Sequence, residues 1–261
     1  ATSLGSAISP PQASNRSSKF NKNFETYRVI ANGLLNNVLL HIRKHESGND
    51  PNIRNFGTAG QGVTSNPPLT TLTFDQVRSV HRGGAIDGVS YKNSQGKNPF
   101  ALGYYQIIPD TLDYIVGVLP ELKDMLFNEE NQHIAGTVLV LDKRPKMGQY
   151  LLGENNNVEQ AGQHWAYEWA YAPSHYTIAK GANGRWPKVD LTPGMSYYSG
   201  AAGNRAGATT TEIINALQQG RQELDAISSQ IEGSQIETPA PGEPDPSGFE
   251  TDEMAAALGM Y

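Results

Sequence analysis

His45-Glu46-Ser47-Gly48-Asn49-Asp50 closes a segment that begins at Phe24, and the helix this segment encodes is the element against which the remaining chain packs. Tyr27, Ile30, Leu34, Val38 and Ile42 recur at spacings of three and four, which predicts one helix with a single apolar stripe turned to the core. Glu46 continues the series 34, 38, 42, so its carboxyl group is carried from the buried face to the point where Gly48 and Pro51 stop the helix. A carboxyl half-buried at the mouth of a cleft loses solvation of its charged form and holds its proton towards neutral pH. That is the requirement for a general acid. The same residue would also suit an ordinary solvated last turn, so the rest of the chain has to decide.

Composition narrows the class. The chain has 261 residues, 38% hydrophobic and 18% charged, enough for one sizeable core, and its 27 glycines and 16 prolines call for many loops. With no cysteine, thiolate chemistry, thiolate metal sites and disulfides are excluded. A net charge of −6 and a pI near 5.5 argue against a general nucleic-acid binder, and no apolar run approaches the roughly 20 residues of a membrane span. Residues 1–18 lack the charged-then-apolar order of a secretory signal, and no internal repeat is visible.

In chain order, residues 1–23 read as a flexible arm rich in Ser, Asn, Pro and Gly. Residues 24–233 read as one domain, and residues 234–261 as an acidic, Pro-rich tail whose apolar end could dock on a partner. Within the domain, residues 52–68 suit a loop or a short irregular β lobe. Thr73 and Gln76 form a capping-box signal for a helix through Val80, and residues 83–98 form a long loop of the functional kind. Pro109 can start a helix at its first turn. Asn128 to Gln132 opens a helix running to about Leu141, and Asn157 begins another, read through Tyr171 with Trp165 and Trp169 on one face. Thr209 and Glu212 cap a last helix with Ile213, Leu217, Leu224 and Ile227 inward.

Gly103-Tyr104-Tyr105-Gln106-Ile107-Ile108-Pro109 combines aromatic rings with an amide just ahead of a helix. Rings cover the apolar face of a pyranose and amides satisfy its hydroxyl and acetamido groups, although the same tyrosines could equally be core. Glu46-Ser47, this Gly103–Pro109 segment, Asn128-Glu129-Glu130-Asn131-Gln132 and Glu168-Trp169-Ala170-Tyr171-Ala172-Pro173 together resemble the successive motifs of lysozyme-like phage muralytic domains. The resemblance is to the lambdoid phage endolysin family of lytic transglycosylases and to virion-associated enzymes with the same order of motifs. It covers about Phe24 to Ile227, with Leu72 to Val77, Arg144-Pro145, Tyr150 to Asn155, Ser196-Tyr197-Tyr198 and Gly203-Asn204 in support.

The resemblance implies a predominantly helical α+β, lysozyme-like fold with a small irregular β lobe. It implies Glu46 as general acid and base, with the Tyr104-Tyr105-Gln106 segment on the glycan-binding cleft and neither metal nor cofactor required; Trp169 and Tyr171, where their helix ends, are candidates to line that cleft by position. Tyr104 departs from the family, which has a basic or small residue at that position. The implied substrate is the peptidoglycan glycan strand, met from a phage particle or after release into the host, with other virion proteins as partners of the terminal segments and no nucleic acid or membrane span. Asp50, Asp75 and Asp87 are candidates for a second carboxylate by proximity in sequence alone. Three alternatives stay open: a hydrolytic muramidase, a non-catalytic virion protein on a lysozyme scaffold, and a glycan-binding module. A carboxyl group at the end of an apolar stripe favours an enzyme over the last two.

Overall fold

The computed structural model describes residues 22–56, 62–183, 186–200 and 205–234. Most of the expected N-terminal arm, nearly all of the C-terminal tail and the supporting Gly203-Asn204 pair lie outside these residues. About half of the structure is helical and a small three-stranded antiparallel sheet accompanies it, so the fold is α+β and predominantly helical.

The first apolar stripe is divided between two helices rather than carried by one. Helix α1 covers Phe24–Leu34 and α2 covers Val38–Ser47. Asn37 makes the break: its backbone leaves the helical region, its Oδ1 accepts from the Val38 amide at 2.6 Å, and its Nδ2 donates to the Gly33 carbonyl at 3.1 Å. One side chain therefore caps both helix ends, a local solution open to Asn and Asp and invisible to apolar periodicity. The stripe survives the break, since Tyr27, Ile30, Leu34, Val38 and Ile42 are all fully buried. At the start of α1, Asn23 caps the helix and Lys22 pairs with Asp142.

Strand β1 (Ile53–Asn55) pairs with β2 (Val63–Thr64) on one side and β3 (Ala101–Leu102) on the other, in the registers Ile53 to Thr64 and Arg54 to Leu102. This is the small β lobe, and the chain enters it directly from α2. Helix α3 (Phe74–His81) starts with the expected capping box, in which Thr73 Oγ1 accepts from the Gln76 amide and Gln76 Oε1 accepts from the Thr73 amide. Pro109 opens α4 (Pro109–Val118).

Helix α5 (Glu129–Val138), capped by Asn128, passes into a single π-helical turn at Leu139–Lys143 before α6 (Pro145–Leu151). The wider turn rotates successive residues to different sides. Asp142 is turned inward, where it accepts from the Tyr27 hydroxyl and pairs with Lys22, while Lys143 and Arg144 are turned towards Glu168.

Helix α7 covers Val158–Ala166 and ends well before Tyr171, because the chain turns at Tyr167. Trp165 is therefore helical and Trp169 is not, yet their rings still meet edge to face at 6.1 Å. Helix α8 (Thr210–Ala226) starts at the Thr209–Glu212 capping box and packs on α1, α2, α6 and α7, with Ile213, Leu217 and Leu224 buried. A short α9 (Ser228–Ser234) follows. Among the described residues no helix is long and apolar enough to cross a membrane.

Candidate active site

Glu46 stands in the last turn of α2, followed by Gly48 in the left-handed conformation at φ 60°, whose amide donates to the Arg43 carbonyl. Glycine adopts that conformation without steric cost, so the helix stops there and the chain leaves for the β lobe. The residue is half-buried and keeps some contact with solvent. Among the described residues it accepts no hydrogen bond and pairs with no cation. Burial, and secondarily the negative charge of Glu168, push its pKa up to about 8. The C-terminal end of the α2 dipole acts in the same direction.

Glu168 is the second carboxylate of the site, and sequence proximity pointed elsewhere. Its side chain is 7% exposed and is gripped by Lys143 Nζ at 2.7 Å and by Arg144 through Nε at 2.7 Å and Nη2 at 2.6 Å. Lys143 also donates to Thr111 Oγ1, and Arg144 Nη2 donates to the Tyr167 carbonyl at 2.8 Å. Asp50 instead closes the turn after α2, accepting from the Asn52 amide and the Thr64 hydroxyl. Asp75 pairs with Arg78, and Asp87 occupies a turn at φ 49°.

Tyr171 is buried against α2 rather than displayed to a ligand. Its ring lies parallel to His45 at 4.5 Å, and His45 in turn stacks on His41 at 4.7 Å. The phenol oxygen accepts from Trp165 Nε1 at 3.0 Å and shares a hydrogen bond with His41 Nδ1 at 3.0 Å. Burial and the charge of Glu46 hold this phenol well above its ordinary pKa, so it stays a neutral donor and acceptor. His41, pushed down to about 4 by burial and then by His45, is a neutral imidazole. Tyr171 thus fastens the face of α2 adjacent to Glu46.

Tyr104 and Tyr105 are also core residues, which leaves their rings little surface for a sugar. Tyr104 is stacked on His133 at 5.2 Å, lies under Arg43 at 5.4 Å, and donates to Glu129 Oε2 at 2.8 Å. Tyr105 presses its ring on Gly136 so closely that an added Cβ there would stand 2.7 Å from the ring. Its hydroxyl meets His133 Nδ1 at 2.7 Å, and Arg43 Nη1 lies 3.3 Å from His133 Nε2. A guanidinium can only donate, so Nε2 is the bare nitrogen and Nδ1 carries the hydrogen. Arg43, three residues before Glu46, is wired by this imidazole to α5 and to the tyrosine turn.

Gln106 is the member of that turn still half-exposed. Its backbone is left-handed at φ 48°, its Nε2 donates to the Gly103 carbonyl at 3.0 Å, and its Oε1 has no partner among the described residues. Trp169 is buried and donates to the Tyr105 carbonyl at 3.4 Å, which brings the turn beside the Glu168 segment. A surface groove of about 440 Å³ lies between the start of α5 and the loop after α2, lined by Pro51, Asn52, Thr70, Asn128, Glu129 and Glu130. Glu46 is not in its lining.

Sequence reasoning missed Glu168, Arg144 and the two histidines. Glu168 stood inside a quoted motif, but its relation to Glu46 is made only by tertiary packing. His41 and His45 were more accessible, since two histidines four apart on the helix of a candidate acid are a readable signal. Among the described residues no three His, Asp or Glu side chains converge as metal ligands. No protein-family model, curated protein or solved structure matches the chain.

Proposed function

We propose that this chain cleaves the β-1,4 bond between N-acetylmuramic acid and N-acetylglucosamine in peptidoglycan, as a lytic transglycosylase on a lysozyme-like fold. The observation that carries the reading is the state of Glu46: an unpaired carboxyl at the end of a buried stripe, protonated near neutral pH. Protonated Glu46 donates to the glycosidic oxygen as the bond to C1 of the muramoyl unit breaks, and the acetamido oxygen of that sugar supports the developing oxocarbenium charge. Glu46, now ionised, takes the proton of the muramoyl 6-hydroxyl as O6 attacks C1, which closes a 1,6-anhydro ring and restores the acid. One carboxyl serves both steps.

Hydrolysis is the second reading, and Glu168 is the observation in its favour, because a two-carboxylate muramidase needs a partner for the acid. Its engagement by two cations favours the first reading. A carboxylate already accepting from Lys143 and Arg144 is a fixed charge rather than a free base for water. The source fits a phage particle or its lytic stage, with the glycan strand as the macromolecular partner.

Incubation with purified, uncrosslinked peptidoglycan followed by mass analysis tests the proposal. Anhydromuramoyl ends, lighter by one water than reducing ends, are expected. Reducing muramic acid ends would move the assignment to hydrolysis, and intact glycan strands would remove the enzyme reading.

A further inference from the structure

The segment from Trp169 to Val189 holds Lys180, Arg185 and Lys188 and no acidic residue, in a chain whose net charge is −6. Within it a small hairpin pairs Ile178 with Leu191 and Asn183 with Trp186. The chain contains three tryptophans. Trp165 and Trp169 are buried, whereas Trp186 is half-exposed on this hairpin. Its ring meets the equally half-buried Tyr198 edge to face at 5.0 Å, and Lys188 Nζ lies 5.3 Å from its centroid.

Tyr198 ties this pair to the candidate active site. Its hydroxyl donates to the Tyr167 carbonyl at 2.7 Å, the same oxygen that accepts from Arg144, and Arg144 holds Glu168. The phenol also lies close enough to Glu46 and Glu168 to feel both charges. Trp186 is therefore one aromatic ring away from the residues around the proposed acid. Tyr197 backs the arrangement: it accepts from Asn183 Nδ2 at 3.0 Å and packs edge to face on Tyr167 and Tyr198.

We propose that Trp186 and Tyr198 form a saccharide-binding platform continuous with the Glu46 site, which takes an N-acetylated amino-sugar unit of the glycan strand, with Lys188 meeting a carboxylate of the peptide stem. This rests on the reading of Glu46 as a glycan-cleaving acid. A half-exposed indole offers an apolar face to the C–H side of a pyranose, and the adjacent phenol covers a second edge. An ammonium beside the indole supplies the opposite charge for a lactyl or peptide carboxylate, which a neutral sugar polymer lacks.

Binding is measured on the full-length Glu46→Gln protein, which removes turnover, with two probes: the β-1,4 tetramer of N-acetylglucosamine and an uncrosslinked muropeptide tetrasaccharide. Both are expected to shift the tryptophan emission, because Trp186 is the tryptophan that solvent reaches. Trp186→Phe is expected to abolish the shift, and Trp186→Ala to weaken both probes by roughly tenfold, about the loss of one good contact. Lys188→Ala is expected to weaken the muropeptide selectively. Near-ultraviolet circular dichroism establishes that each variant is folded, and Trp186→Tyr should restore most of the affinity. Unchanged affinity in a folded Trp186→Ala protein, or an emission shift that persists in Trp186→Phe, overturns the platform. The reading of Glu46 fails by a different sign, namely full lytic activity of Glu46→Gln.

Discussion

Glu46 and Glu168 are close enough for the charge of one to hold a proton on the other, and the protein treats them in opposite ways. Glu168 is saturated: two cations and the contacts of Lys143 and Arg144 with Thr111 and Tyr167 leave its oxygens engaged. Glu46 is starved: the same region gives it neither a cation nor a hydrogen bond among the described residues. A carboxyl group proposed as a general acid is defined less by what touches it than by what is withheld from it. Lys143 and Arg144, presented by the π-helical turn, hold the Glu168 side chain in place beside it.

The largest effect should come from breaking the starved member. Glu46→Gln keeps the shape and deletes the exchangeable proton, so turnover of cell walls should fall by about 10² to 10⁴-fold without unfolding. Stability adds a second readout. With its pKa near 8 in the folded protein and an ordinary value of 4.5 unfolded, Glu46 binds more protons in the native state between those limits. Native stability therefore declines as pH rises through that window, by on the order of a few kcal/mol at most. Glu46→Gln removes the penalty. Its melting temperature should match the parent at pH 4.5 and exceed it at pH 9, and equal melting curves at both values would show that the carboxyl is not desolvated.

Breaking the saturated member should cost stability first. Glu168→Gln leaves Lys143 and Arg144 without their anion, and since their side chains remain 26% and 24% exposed, solvent screens part of the loss. We expect about 2–3 kcal/mol, below the 3–5 kcal/mol typical of a fully buried pair. The same substitution removes the charge that raises the pKa of Glu46. With protonated Glu46 as the proposed acid, the alkaline limb of the pH–rate profile should move to lower pH. A limb that stays in place would show that burial alone tunes Glu46.

How much of this was legible in advance follows from which interactions are local. The Thr73–Gln76 and Thr209–Glu212 boxes, the proline start of α4 and the three-and-four spacing of core residues along α1 and α2 are written in neighbouring positions and are legible there. The break at Asn37 was not, because apolar spacing runs across it undisturbed while one amide side chain caps both sides. Glu46 was picked from its place on the stripe. The resemblance places the two tyrosines beside Gln106 on the cleft, whereas the fold buries both and packs the Tyr105 ring on Gly136. Glu168 could not be paired with Glu46 by spacing, since only the turn after α7 and the packing of that turn on α2 bring them together.

Tyr105→Phe sharpens the comparison from the helix that carries Glu46. The substitution deletes the hydroxyl that meets His133 Nδ1 and leaves a buried imidazole donor unsatisfied, which should cost about 1–2 kcal/mol. His133 is held near 4 by burial and then by Arg43, so it is neutral across the working range. Its unfolded form takes up protons first as pH falls from about 6.5, and stability should therefore be lost between there and pH 4 in parent and variant alike. The pH–rate profile should be unmoved, because the network positions α2 and adds no charge beside Glu46. A shifted profile would add Arg43 and His133 to burial and Glu168 as groups that tune Glu46.

The smallest effect on folding belongs to Gln106, and a pair of substitutions separates its two roles. Both Gln106→Ala and Gln106→Gly delete the amide, but only glycine adopts φ 48° without strain, so the alanine variant should be the less stable by about 1 kcal/mol. If the unpartnered Oε1 accepts from a sugar hydroxyl or acetamido N–H, the two variants should lose the same several-fold of activity despite their different stabilities. Activity that tracks stability instead, lower in alanine and parental in glycine, would make Gln106 a turn residue whose amide serves only the Gly103 carbonyl. In that event substrate positioning passes to the half-exposed rings of Tyr198 and Trp186.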